Sequence, residues 1–283
     1  MDADGQLDAH ALRAVAPYFT DPMVGGVQIG VRIANAHDSL LARFQDIEFV
    51  GFSHFVQVAR DRFGSVGLGG NGQFTRLSAL HTLRREPWTD CLTEDLDLGL
   101  SLVEHGWRIR FCRRAFVAQQ GLHRIRPWLR QRARWTQGHY QCWKHFPKLL
   151  KARRTSILTR IDLCVYLSFI TFVMLVTVNM AIGVASLAGW VTIDNHYLAF
   201  LSAGLVKNVV LEALSIGPIV AFLAVYQQNS KQPLRWWQVP AFGAIFACYT
   251  YLWAVATVLA WYRLARGRQG WAKTARVHAE PAT

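Results

Sequence analysis

The chain has 283 residues, of which 52% are hydrophobic and 17% charged, with a formal net charge of +13; this argues against a purely soluble domain and directs attention to membrane segments. No acidic residue occurs between Glu104 and Asp162, while basic ones recur from Arg108 to Arg160. That stretch needs an anionic partner: nucleic acid, acidic lipid head groups or the diphosphate of a nucleotide sugar. The five cysteines are odd in number, widely spaced and without a CxxC pair, which excludes a zinc or redox centre of the usual spacing.

In chain order, Asp2-Ala3-Asp4 comes first. Two carboxylates at alternate positions can share a hard divalent cation, Mg²⁺ or Mn²⁺, although such pairs are also common in surface loops. The apolar runs Val24–Ile33 and Arg108–Ala118 read as strands of a mixed α/β domain. Leu40, Leu41, Phe44, Ile47, Phe52, Phe55 and Val56 recur near helical spacing and predict an amphipathic helix over 39–59, packed on the sheet.

The glycine-rich segment Gly69-Gly70-Asn71-Gly72-Gln73-Phe74-Thr75-Arg76 fails as a phosphate loop, because no Lys-Ser or Lys-Thr follows its glycines. Thr93-Glu94-Asp95 precedes a helical pattern from Leu96 to His105, where acids also serve as ordinary helix caps. Asp97 is assigned to that helix start. Gln131, Arg134 and Trp135 fall at i, i+3 and i+4 and share one helical face. A guanidinium matches diphosphate geometry and an indole can stack on a sugar. A basic helix lying on anionic lipid accounts equally well for this element taken alone.

Beyond Arg160 the composition changes. Ile161–Val191 contains one charge, Asp162; Tyr197–Tyr226 carries Lys207 and Glu212; Val239–Tyr262 forms a third apolar stretch. Each exceeds the ~20 apolar residues that cross a bilayer. The expected division is therefore a domain over 1–155, a transmembrane region over 156–265 with spans near 161–191, 197–226 and 239–262, and a basic tail over 266–283. Lys148, Lys151, Arg153, Arg154 and Arg160 precede the first span, which places the α/β domain in the cytoplasm of a multi-pass cell-membrane protein. Three full spans would leave the basic tail outside, so one segment is re-entrant or interfacial, or the tail is an exception.

Taken in order and followed by apolar segments, Asp2-Ala3-Asp4, Thr93-Glu94-Asp95 and Gln131-Arg132-Ala133-Arg134-Trp135 resemble the D-x-D, x-E-D and Q-x-x-R-W signatures of the membrane-integrated, processive family 2 glycosyltransferases. That group includes cellulose, hyaluronan, chitin-oligosaccharide and poly-N-acetylglucosamine synthases. The segment Gly69–Arg76 resembles the family's glycine-rich acceptor pocket, and Gly270-Trp271-Ala272-Lys273-Thr274-Ala275-Arg276 resembles its W-x-K-T-x-R tail. Family members begin with a nucleotide-binding half, whereas this sequence enters at the second aspartate motif. The resemblance thus implies an α/β, GT-A-like glycosyltransferase domain lacking its N-terminal half, followed by an α-helical transmembrane region.

It further implies that Asp4 binds Mg²⁺ or Mn²⁺ and that Asp2 holds the ribose and the metal shell. Asp95 would be the general base, oriented by Glu94. Arg134 would stabilise the departing diphosphate, Gln131 and Trp135 would hold the acceptor, and Gly70 and Asn71 would line its pocket. The implied reaction is inverting transfer of glucose or N-acetylglucosamine from a UDP-sugar donor to a glycan acceptor, a growing β-linked polysaccharide. Membrane lipid and other polysaccharide-synthesis subunits are the implied partners. The alternative is a non-catalytic membrane subunit descended from such a transferase. A nucleic-acid module would explain 124–135 but leave the apolar segments without purpose, so no nucleic-acid partner is expected.

Overall fold

The two apolar runs pair with each other in the computed structural model, which describes residues 5–83, 87–187 and 205–268. Strands β1 (Gln6–Leu7), β2 (Val24–Ile33), β3 (Gln73–Thr75) and β4 (Arg108–Gln119) form one sheet in the order β1-β4-β2-β3. β2 and β4 run parallel, with Val27 opposite Arg110 and Ile29 opposite Cys112; the outer strands are antiparallel. A bulge follows Ile29, where the register jumps to Gly30 opposite Phe116. The central strand β2 is buried along most of its length, as its continuous apolar run requires. Asp2 and Asp4 lie outside the described residues.

Helix α1 (Ala11–Val15) covers one end of the sheet through Ala11 and Val15, which meet Val24, Val27 and Val117. Helix α2 (Leu40–Gly51) starts at Ser39, whose hydroxyl accepts from the Ala42 N–H at 3.1 Å. It continues as a π-helical turn over Phe52–Gln57 and then α3 (Val58–Asp61). The expected helix is therefore present, but the wider turn rotates its face. Ser53 and Gln57 are buried, while Phe55 is 49% exposed. Gln57 exchanges two hydrogen bonds with the backbone of Gly67 (2.7 and 3.1 Å), tying this turn to the glycine-rich segment.

Five further helices follow: α4 (Leu77–Thr82), α5 (Glu94–Glu104), α6 (Ile125–Gln141), α7 (Phe146–Lys151) and α8 (Ile157–Leu187); then come α9 (Leu205–Asn229) and α10 (Val239–Ala265). These last three coincide with the expected apolar segments. The motif Gly270–Arg276 falls outside the described residues. Among those described, Trp236–Ala265 is a helical stretch long and apolar enough to cross a membrane by length and composition. Along α8, Val165, Phe169, Phe172 and Leu175 are exposed, and along α10 Val255 and Val258 are.

The first turns of α8 belong to the core of the α/β domain. Leu163 and Leu167 are buried with Leu98, Leu100, Leu102, Ile109 and Phe111. Asp162, the single charge of the first apolar segment, pairs with Arg60 at 2.9 Å and accepts from the Ser65 hydroxyl at 2.6 Å. A second core joins α2, α6, α9 and α10 through Phe44, Ile47, Val50, Trp128, Leu223, Tyr226, Phe246 and Tyr249. The long apolar helices are thus built onto the domain at two places, and the chain runs from the domain into α8 without a separating linker near 155.

Candidate active site

Glu94, Asp95 and Asp97 occupy the first turn of α5, where the unpaired N–H groups and the helix dipole favour acids. Helix α6 crosses just behind them. A Cβ placed on Gly138 would lie 2.6 Å from the Thr93 nitrogen, so only glycine lets the helix come this near. Gln141 Oε1 accepts from the Leu92 N–H at 2.9 Å, and Arg134 Nη1 donates to the Leu92 carbonyl at 3.5 Å. The motif loop is thereby held from both sides by one helix.

On the opposite side, Gly70 and Gly72 both have φ of +72°, a left-handed conformation that a Cβ would strain. Gln28 of the central strand organises the loop: its Nε2 donates to the Asn71 carbonyl at 2.7 Å and its Oε1 accepts from the Gly69 N–H at 2.9 Å. The Asn71 side chain donates to Gln119 Oε1 at 2.7 Å and is 2% exposed, so its described bonds build the loop. A Cβ on Gly70 would stand 3.2 Å from Asp95 Oδ2. The glycine segment and the x-E-D motif, remote in sequence, touch at the Asp95 carboxylate.

Burial pushes the Asp95 carboxyl up to about 7; the Leu96 N–H, donating to Oδ1 at 2.8 Å, and the charge of Arg134 oppose the rise, and neighbouring Glu94 adds to it. A carboxyl poised near neutrality is suited to exchange a proton with a hydroxyl. Glu94 and Gln131 are half-buried. Trp135 is half-buried too, with its ring edge-on to Phe49 at 6.1 Å.

Two constellations escaped the sequence reading. Asp97 sits 1% exposed, its Oδ1 accepting from Lys144 Nζ and His145 Nε2, each at 2.7 Å, and its Oδ2 from Thr89 at 2.7 Å. The other ring nitrogen of His145 meets Glu104 at 2.5 Å. With a carboxylate on each side, the imidazole carries both protons. Burial opposes both charges, yet these hydrogen bonds outweigh it, raising His145 and holding Asp97 well below the usual carboxylate range. Asp97 is thus the centre of a buried ion cluster as well as part of the helix start.

The second constellation is Arg132, 1% exposed, whose Nη2 donates to Glu48 Oε2 at 3.1 Å. Tyr249 of α10 donates to the same oxygen. No short-range spacing could have signalled either group, since His145 lies 48 residues from Asp97 and 41 from Glu104, and Arg132 lies 84 from Glu48.

Cys91, Asp97 and Cys142 also lie close enough to hold a metal. The oxygens of Asp97 are already occupied by Lys144, His145 and Thr89, and thiols suit soft ions, so this group does not fit Mg²⁺ or Mn²⁺. Asp2 and Asp4, the carboxylates expected to hold such an ion, lie outside the described residues.

Residues 1–265 match the family model described as glycosyl transferase family group 2. The chain is 34% identical over 142 residues to a beta-monoglucosyldiacylglycerol synthase of Synechocystis sp., covering 50% of this chain and 29% of that protein. It is 30% identical over 161 residues to a probable glycosyltransferase of Bacillus subtilis (56% and 38% covered). To an N-acetylglucosaminyltransferase of Rhizobium meliloti it is 26% identical over 149 residues (50% and 35% covered). The matches thus span about a third of the length of these curated relatives.

Proposed function

Because the chain belongs to glycosyl transferase family group 2, we propose that it forms the catalytic and membrane-embedded part of an inverting hexosyltransferase. It moves glucose or N-acetylglucosamine from a UDP-sugar to the end of a growing β-linked polysaccharide. The observation that carries this reading is the convergence on Asp95: a half-buried carboxyl near neutrality, against Gly70 on one side and facing the Arg134 helix on the other.

Asp95 takes the proton of the acceptor hydroxyl as that oxygen attacks the anomeric carbon. The bond from that carbon to the diphosphate breaks on the far side, which inverts the centre and releases UDP. Arg134 offsets charge developing on the departing diphosphate. Glu94 orients the base, Gln131 and Trp135 hold the acceptor, and Gly70 forms the pocket floor, with the buried Asn71 holding its loop from beneath. Asp2 and Asp4 would hold Mg²⁺ or Mn²⁺, which supplies charge neutralisation at the diphosphate when bound. Helices α8, α9 and α10 serve as membrane spans and keep the domain at the cytoplasmic face.

A second acceptor is favoured by the relatives' names. The beta-monoglucosyldiacylglycerol synthases of Synechocystis sp. and Trichormus variabilis, 34% and 33% identical to this chain, support a diacylglycerol acceptor in place of the glycan. Membranes containing the full protein, incubated with radiolabelled UDP-glucose or UDP-N-acetylglucosamine, decide between the two. Label in an ethanol-insoluble polymer supports the polysaccharide, and label in the chloroform phase the lipid. Label in neither, with active control membranes, contradicts the proposed function.

A further inference from the structure

A buried cation is costly unless its surroundings compensate it, and Arg132 is compensated in an unusual way. Among the described residues one carboxylate, Glu48, meets its guanidinium, and its Nε has no hydrogen-bond acceptor. Four aromatic rings supply the rest: Trp135 at 4.2 Å, Trp253 at 4.9 Å, Trp128 at 5.3 Å and Phe49 at 5.4 Å from the guanidinium carbon to the ring centroid. Each ring face offers the cation a favourable quadrupole. The rings come from three helices, α2, α6 and α10, which meet at this one side chain.

Trp128 and Trp135 lie four residues before and three after Arg132 on α6, so all three project from the same face of the helix. Trp128 is fully buried and donates through Nε1 to the Tyr249 hydroxyl at 3.2 Å; Trp135 is half-buried. The half-buried ring is the nearest to the cation, and its other described ring contact is the edge of Phe49. On the preceding residue, Arg134 reaches the loop that carries Asp95.

We propose that Arg132, anchored by Glu48 and Tyr249, is the positioning residue for Trp135, fixing its indole as a platform for the acceptor sugar. The role in acceptor binding rests on the function proposed above; the fixing of the ring does not. Buried ion pairs are commonly no more stabilising than well-packed apolar residues of similar size, so stability alone gives little reason for a charge here. Planarity does: a guanidinium can lie flat on an indole face, and neither lysine nor methionine can do so. Tyr249 extends the arrangement into α10, so a shift of that helix is felt at the acceptor platform.

The test uses the full-length membrane protein carrying 5-fluorotryptophan, with the Trp135 resonance assigned from a Trp135→Phe variant. The double variant Arg132→Met/Glu48→Met removes both charges together and keeps the core filled, so folding is preserved where Arg132→Met alone could fail. UDP binding measured by calorimetry reports the integrity of the fold. The proposal expects the Trp135 fluorine resonance to be single and sharp in the wild type and broadened or split in the double variant, with the resonance of Trp107, whose indole donates to Thr82 at 3.0 Å and which is assigned from a Trp107→Phe variant, unchanged. It also expects the KM for octyl β-glucoside, an acceptor probe with a β-linked sugar end and an alkyl chain, to rise about tenfold at unaltered UDP affinity, as loss of one or two cation–π contacts would give. An unchanged Trp135 resonance in the double variant overturns the proposal. If Trp135→Phe itself leaves the probe's KM unaltered, the acceptor role of Trp135 is lost while the fixing of its ring stands or falls on the resonance.

Discussion

Replacing Gly138 by alanine tests whether α6 and the x-E-D loop act as one rigid unit. The new methyl carbon would lie 2.6 Å from the Thr93 nitrogen and 2.7 Å from both Thr93 Cγ2 and Oγ1, whereas unstrained contacts sit near 3.5–4.0 Å, so the helix and the loop must part by about 1 Å. Neither side can yield cheaply, because the obstruction includes backbone and Gln141 pins Leu92 from the same helix. Overpacking of this kind costs about 1–3 kcal/mol. The same displacement separates Asp95 from Arg134, and a misplacement of about 1 Å costs on the order of a hundredfold in rate. Thermal melting in detergent, UDP binding and the initial rate of label transfer from UDP-sugar should be measured on matched preparations. The expected result is a melting point lowered by a few degrees, near-normal UDP affinity and a kcat reduced about a hundredfold. A Gly138→Ala protein with wild-type melting and kcat would refute the close approach of helix and loop.

Three other expectations follow from the same geometry. Since the Asp95 carboxyl is pushed up to about 7 and acts unprotonated, the rate should rise about tenfold per pH unit below that value and level off above it; a flat profile from pH 5 to 8 would remove Asp95 as the base. Asp97 is held well below its ordinary range, so its contribution is present above the unfolded carboxylate value of about 4 and lost as pH falls through the lower folded one. An Asp97→Asn variant should therefore melt well below wild type at pH 7, as breaking a buried pair costs about 3–5 kcal/mol, and converge with it in strong acid; equal melting at pH 7 would contradict the cluster. Chelation should abolish transfer and added Mn²⁺ or Mg²⁺ restore it, and turnover that persists in excess chelator would refute the metal role of Asp2 and Asp4.

Local periodicity made much of the scaffold legible. Val24–Ile33 is a central parallel strand because its apolar run needs burial on both faces; Arg108–Ala118, with four arginines among its apolar residues, pairs with it and is buried only in part; and the three long apolar segments are long helices. Phe55 was misplaced, since a 3.6-residue period cannot foresee a π-helical turn at Phe52–Gln57. The boundary near residue 155 was also too simple. Asp162 reads as a stray charge in a membrane segment until Arg60, far away in sequence, arrives beside it.

The same limit applies at the site. Asp95, Arg134 and Gly70 each stand in a compact motif, which is why the sequence singles them out. His145, Glu104, Glu48 and Tyr249 are not singled out, because their partners lie 41 to 201 residues away and no spacing rule joins them. Asn71 shows the converse: it stands in a motif, but its described hydrogen bonds go to the protein's own loop and strand.

The most direct test of the account is the Asp95→Asn substitution in the full-length membrane protein, assayed side by side for UDP binding and for transfer of label from UDP-glucose and UDP-N-acetylglucosamine. The account predicts UDP affinity close to wild type with transfer reduced to background, because the side chain serves the acceptor hydroxyl and not the diphosphate. Transfer by Asp95→Asn at a rate comparable to wild type would contradict it.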